Sequence, residues 1–330
     1  MRKFWHKLIH PEVNRPLSKE EREDHLPQSK PSPIPVAWPQ LSVIRMNSTF
    51  LECVDLAFQK KGFATAFGVF LGGVCIYIIS LSVFGPIKDW YEGTASDPTF
   101  ALIFGSLMIL PFSLFAIVPI SFLLLESFNY THYPMIFNRK TRMVHVFLPQ
   151  RKGEILSVPW DELYFSFTRK GNSPNFRVGG HKLAVDGETV LETFWLPTDD
   201  EFNSPFRFLQ WEFVRQYMEG NNTQVAALAN TVMEVASVDG RRETVFESFW
   251  QAWASFGGRH LHIALIASPL ILATTIGRQI AMWTSKKPRW PKEILDTCQF
   301  SPNDPNLRDR KHLVPRHEVT LPDVSAYTGR

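Results

Sequence analysis

Residues 63–87 read FATAFGVFLGGVCIYIISLSVFGPI, 25 positions without a charged side chain. An α-helix rises about 1.5 Å per residue, so this run reaches across a hydrocarbon layer of about 30 Å with some tilt. A second run, Thr99 to Leu125, has 27 uncharged positions and passes the same test. Only the eleven residues 88–98 separate the two. A core helix of a soluble protein can imitate one such run. Two at this spacing point to an antiparallel transmembrane hairpin.

Basic residues orient the hairpin. Arg45, Lys60 and Lys61 precede the first run, and Arg139, Lys140, Arg142, Arg151 and Lys152 follow the second. The connecting loop offers Lys88 against Asp89, Glu92 and Asp97. Basic flanks are retained on the cytoplasmic side, so the loop is expected to cross, with Trp90 and Tyr91 at the far interface. Within the first run Ala64, Gly68 and Gly72 recur every four residues. Such a stripe permits close backbone approach, either to the second run or to another copy in a homo-oligomer. Pro111 and Pro119 are expected to kink the second run. Neither run contains Asp, Glu, Lys, Arg or His, which argues against a proton relay or ion-coupled transporter.

Outward from this hairpin the chain is ordinary. Its 330 residues are 45% hydrophobic and carry a net charge of +3. That excludes a global nucleic-acid signature. The three cysteines, Cys53, Cys75 and Cys298, are far apart and read as packing thiols. Met1 to His10 lack the apolar stretch of a signal peptide. Residues 1–62 form a Pro-rich cytoplasmic region, with Pro31, Pro33, Pro35 and Pro39 close together. It reads as a loosely packed tail, ending in a short helix over 49–61.

After the second run the pattern changes to short β runs: 133–137, 143–148, 154–158, 164–168, 176–185 and 189–196. Turn residues separate several of them, as in an antiparallel meander. A sheet needs a second layer. The segment Pro205 to Glu219 supplies a helix, with Ser204 as cap and Gly220 as stop. Trp160 and Phe213 are candidate core residues joining sheet to helix. The layout over 126–222 resembles pleckstrin-homology-like domains that follow two-helix membrane anchors. The expected fold class is therefore membrane α+β.

Residues 223–285 are expected to form amphipathic helices. Phe246, Phe249, Trp250, Trp253 and Phe256 recur at three- and four-residue spacing. They make a candidate binding or membrane-surface stripe, with packing on the β domain as the alternative. Gly257-Gly258 then bends the chain into Leu261 to Trp283. That stretch contains His262, Pro269 and Arg278, so it reads as an interfacial or partly inserted helix, with a third span as runner-up. Residues 286–330 are assigned to a cytoplasmic tail.

No catalytic motif occurs. His260 and His262 lack further ligands at metal-site spacing. Asp199, Asp200 and Glu201 suit a solvated loop. No catalytic, cofactor-binding or metal-ligating residue is nominated, and the chain reads as non-enzymatic.

Several weak motifs occur in a fixed order. Pro134-Met135-Ile136-Phe137-Asn138-Arg139-Lys140 comes first, then Val158-Pro159-Trp160-Asp161. Trp211 to Gly220 (WEFVRQYMEG) and Trp283 to Pro291 (WTSKKPRWP) follow. In this order the sequence resembles an uncharacterised bacterial family of two-span inner-membrane proteins, often encoded beside type VI secretion effectors. The basic flanks put both termini in the cytoplasm, and the resemblance implies an immunity or accessory role. Its implied partners are membrane lipids and a secretion effector or component. A general membrane-anchored scaffold or lipid-sensing module is the alternative. A lipid-active membrane enzyme is weakest, because no catalytic set is visible.

Overall fold

The computed structural model describes residues 13–93, 97–149, 154–169, 175–197, 200–201, 205–220, 222–229, 232–236, 238, 240–256, 261–312 and 322–327. It is a mixed α+β structure of two units, each discontinuous in the chain. The first takes Met1–Gln59, His132–Arg241 and Lys287–Arg330, and the second Lys60–Thr131 and Arg242–Lys286.

The first unit contains two antiparallel sheets. One orders β2 (Val43–Met46), β3 (Phe50–Val54), β4 (Pro134–Asn138), β5 (Met143–Leu148) and β6 (Glu154–Pro159) side by side. Asn47 makes the β2–β3 turn, its side-chain oxygen accepting the amides of Thr49 and Phe50 at 2.8 and 2.9 Å. Asn138 does the same for Thr141 at 3.0 Å before β5, the local side chain-to-backbone bonding that favours Asn in turns. The second sheet is built around β8 (Asn175–Leu183). β7 (Leu163–Arg169) pairs along it, while β9 (Thr189–Trp195) and β10 (Asp200–Glu201) pair at successive positions. β1 (Arg15–Pro16) adds to β9. The short 3-10 turn Trp160–Glu162 separates the two sheets in the chain.

Both sheets contribute to one core. Leu51, Phe137, Val144 and Val146 come from the first, Phe165, Phe167 and Val178 from the second. Helix α6 (Leu209–Glu219) adds Leu209, Trp211, Phe213, Val214 and Tyr217. Trp160 is fully buried, stacked 5.9 Å from Trp211. Its indole N–H donates to Glu219 at 2.6 Å, satisfying the one polar group such a ring carries inside. Phe213 is also fully buried.

Four expectations are corrected here. Residues 49–61 are not one helix: Phe50–Val54 is a strand and only Leu56–Lys60 (α2) is helical. All five residues of β3 are buried, so its two covered faces leave no alternation to read. The Pro-rich region is not a loose tail: beyond β1–β3 and α1 (Lys19–Glu23), Leu26, Ile34 and Ala37 join the core. The single meander is two sheets. Pro205–Phe208 is a 3-10 turn and α6 starts at Leu209. Gly220 follows α6 with extended backbone, its N–H donating to the Gln216 carbonyl. Ser204, Gly257, Gly258 and His260 lie outside the described residues.

The second unit is helical. α3 (Phe63–Tyr91) packs against α4 (Pro98–Phe115) and α5 (Ile117–Glu126). Among the described residues one helix, over Phe63–Asp89, is long and apolar enough to cross a membrane by length and composition. The expected second run is two helices rather than one. Pro111 sits within α4, but the chain breaks at Ala116. Pro119 has no N–H for the Phe115 carbonyl, which removes the bond that would join the pieces. α8 (Val245–Ser255), α9 (Leu261–Ile266) and α10 (Ser268–Thr284) complete the unit, α7 (Asn222–Leu228) belonging to the first.

Candidate functional site

The small-residue stripe of α3 lies against α5. A Cβ added to Gly68 would come 2.9 Å from the Pro119 carbonyl and 3.0 Å from Leu123 Cγ. One at Gly72 would touch Pro119 Cβ at 3.7 Å. The Ala64 amide donates to Glu126 at 3.3 Å. The pairing of Gly72 with Pro119, Gly68 with Leu123 and Ala64 with Glu126 makes α5 antiparallel to the start of α3. A second close crossing was not read from the sequence. A Cβ on Gly277 of α10 would lie 2.6 Å from the Ala66 amide, and Gly62 abuts Arg278 with φ +107°. Gly62 and Ala66 share the four-residue spacing of the named stripe, but on another face.

Polar groups gather where α3 begins. Glu126 accepts from the amides of Gly62 and Thr65, each at 2.9 Å, and from the Thr65 hydroxyl at 2.8 Å. These amides are the donors a helix start leaves without partners, and a carboxylate there also suits the helix dipole. Lys61 donates to the Tyr130 carbonyl at 2.6 Å. Arg278 is fully buried. Its guanidinium reaches both carboxylate oxygens of Glu243, at 2.5 and 2.9 Å, and the Lys61 carbonyl at 3.3 Å.

The aromatic stripe divides. Phe249, Trp253 and Phe256 pack around Ala252, Ile271 and Ala267, joining α8 to α10. Phe246 and Trp250 point away, 67% and 50% exposed, and form an edge-to-face pair at 5.7 Å. The helix is well started, with Thr244 and Glu247 forming a reciprocal capping box.

The first unit holds two polar features. The fully buried His181 has Nδ1 2.8 Å from Thr193 Oγ1 and Nε2 3.1 Å from Ser166 Oγ. Glu21 lies 3.7 Å from Nε2 and takes a two-pronged bond from Arg15 at 2.6 Å on each side. Burial pushes the His181 imidazole down to about 4, against the attraction of Glu21. Burial opposes ionisation of Glu21, yet the Arg15 guanidinium and the Ser18 amide hold its carboxyl at about 2. Serine, histidine and carboxylate thus meet, but Ser166 and His181 are sealed from solvent. Through Glu21, Thr168 and His181 the cluster ties α1 to the second sheet. Separately, an open cavity of about 530 Å³ lies against β5 and β6, with Met143, His145, Ile155 and Ser157 on one wall and Glu293 and Ile294 of α11 (Lys292–Thr297) on the other. His145 Nδ1 is 2.8 Å from Ser157 Oγ.

Among the described residues no group of three or more His, Cys, Asp or Glu could hold a metal ion. Cys53, Cys75 and Cys298 are free and buried.

Against known proteins, a family of unknown function (DUF6708) matches residues 112–302, more than half of the chain. No curated protein and no solved structure matches.

Proposed function

The chain belongs to DUF6708, a family of unknown function, and we propose that it is a non-enzymatic binding protein anchored in a membrane. The observation that carries this reading is the surface of α3. Phe70, Ile76 and Phe84 each expose 67–68% of their area, and Val69, Tyr77 and Leu81 are exposed beside them. Soluble monomers rarely expose contiguous apolar patches beyond a few hundred Å². A lipid environment removes that conflict. α4 and α5 then return beside α3 as the second arm of a transmembrane hairpin, with residues 88–98 as its far loop.

In this reading the membrane is a bacterial inner membrane and both termini are cytoplasmic. The first unit, pleckstrin-homology-like in layout, is the binding body. The ordered motifs from Pro134 to Pro291 support an immunity or accessory role beside a type VI secretion effector. The far loop is short, whereas a standard protein interface uses about 20–30 residues per side. Effector contact therefore falls to the cytoplasmic unit or to the helices within the bilayer.

The test replaces Asp89 to Asp97 with a Gly/Ser linker of equal length and measures protection from, or delivery of, a cognate type VI secretion effector. Function survives on this reading. Loss with normal expression and insertion moves the binding site to the far side. If deleting the whole chain changes neither protection nor delivery, the general scaffold or lipid-sensing reading replaces the secretion role.

A further inference from the structure

α10 buries its threonines and its arginine and exposes large apolar side chains. Its buried face mixes the polar Thr274, Thr275 and the fully buried Arg278 with Ile271, Ala281 and Met282. Its exposed large residues are Leu270, Leu272, Ile276, Ile280 and Trp283, with Trp283 71% exposed. A water-facing helix shows the reverse arrangement. An interfacial amphipathic helix would still turn a charged or polar face to water. α10 turns its polar face into the protein, toward Glu243 and the Lys61 carbonyl.

α8 carries both kinds of surface. Glu247, Gln251 and Ser255 recur along it at four-residue spacing, Ser255 exposed and the other two half-buried, beside the exposed aromatics Phe246 and Trp250, while Ser248 and Ala252 are buried. The contacts of Gln279 with Thr244 and Ser248, and of Ala252 with Ile271, make α8 and α10 antiparallel. Both ends of this hairpin close at one place. Arg242 donates to the carbonyls of Met282 and Trp283 at 3.0 and 2.8 Å. Lys286 exchanges backbone bonds with Asn129 and Thr131, next to the Glu126 cap at the start of α3. Among the described residues, the hairpin meets the start of α3 through Gly277 against Gly62 and Ala66 and through Phe63 beside Phe256 at 6.2 Å. Beyond them α3 opens: Phe70 is exposed and a Cβ on Gly73 would meet nothing within 4 Å.

Resting on the membrane reading of α3, we infer that Arg242–Lys286 is a re-entrant wedge. α10 is embedded among the acyl chains of the leaflet where α3 starts, and α8 lies at its water boundary. The occupant of the outer face of α10 is lipid, because that face continues the apolar surface of α3 within one unit. The Arg278–Glu243 pair is the sealed polar centre that lets α10 enter. An ionisable side chain in an apolar surround is tolerated when it faces the protein and is paired. Entry and exit on one side leave the C-terminal segment on the side from which the hairpin came.

The full chain is reconstituted in phosphatidylcholine vesicles as separate Phe70→Cys, Leu272→Cys, Ile276→Cys and Ser255→Cys variants, each labelled with bimane. The three native thiols are buried, and the unsubstituted chain sets the background. The labels at 70, 272 and 276 are expected to emit to the blue and to lose intensity with nitroxide-bearing lipid. The label at 255 is expected to respond to aqueous iodide instead. Iodide quenching at both 272 and 276, with lipid quenching at 70, overturns the wedge alone. Iodide quenching at 70 as well overturns the membrane reading beneath it.

Discussion

Glu126 accepts both the amide and the hydroxyl of Thr65, at 2.9 and 2.8 Å, so the last residue of α5 caps the first turn of α3. Removing the carboxylate leaves several helix-start amides without an acceptor. An orphaned buried donor costs about 1–3 kcal/mol, and loss of a cap about 0.5–2 kcal/mol. Glu126→Ala should lower the thermal midpoint in detergent clearly. Glu126→Gln, which keeps one acceptor oxygen, should lower it less. Equal midpoints for the two variants and the parent would mean that the cap contributes nothing.

Glycines on three sides of α3 and α10 should respond differently to one added methyl. Gly277→Ala places a Cβ 2.6 Å from the Ala66 amide, and Gly68→Ala places one 2.9 Å from the Pro119 carbonyl. Backbone atoms cannot step aside as side-chain ends do, so both variants should be less stable by about 1–3 kcal/mol. Gly73→Ala meets nothing within 4 Å and should be neutral or slightly stabilising, since Ala is the better helix former. Thermal shift of the three in one detergent checks the order.

Breaking the buried Arg278–Glu243 pair from one side strands a charge. Arg278→Met alone is expected to cost about 3–5 kcal/mol, whereas the double change Arg278→Met with Glu243→Gln should recover much of that loss. A double variant as unstable as the sum of its singles would show that the two side chains act independently.

Acid should weaken the first unit through His181 and Glu21. His181 falls from its ordinary 6.5 to about 4 in the fold, because burial favours the neutral ring. The unfolded chain therefore binds a proton that the folded one refuses. That stability is complete above pH 6.5 and is lost as pH drops toward 4. Glu21 falls from 4.5 to about 2 through Arg15 and the Ser18 amide, which outweigh burial. Its contribution holds above pH 4.5 and disappears as pH approaches 2. Both signs agree, so the denaturant midpoint should fall from pH 7 to pH 5. His181→Gln should flatten that slope without abolishing it, because burial also depresses His25 and His145. A midpoint that rises on acidification contradicts this assignment.

The mixed α+β class and the long apolar helix were legible because their signals are local. α3 is dense in apolar residues for its whole length, and the strands β4 to β9 are short runs bounded by turn residues. β3 was not legible because one of its two partners is remote. Phe50 pairs with Asn138 and Val54 with Pro134 across the whole first helical insertion. With Phe50, Leu51, Glu52, Cys53 and Val54 all buried, the period-two alternation that marks a half-exposed strand is missing. The polar stripe of α10 was visible in Thr274, Thr275 and Arg278, but a pattern says which residues share a face, not which face is inside. Only the Arg278 contacts with Glu243 and Lys61 fix that sign. Gly62 and Gly277 were passed over because their partners are backbone atoms distant in sequence.

The central claim is that α3 anchors the chain across a membrane with its start on the same side as the sheet unit. The most direct measurement is labelling of intact spheroplasts with a membrane-impermeant maleimide, using Tyr91→Cys at the end of α3 and Val185→Cys at the exposed β8–β9 turn. The account predicts that the Tyr91→Cys variant reacts before lysis and the Val185→Cys variant only after it, with the chain recovered in the membrane fraction. Reaction of both variants before lysis, or recovery of the chain among soluble proteins, would contradict it.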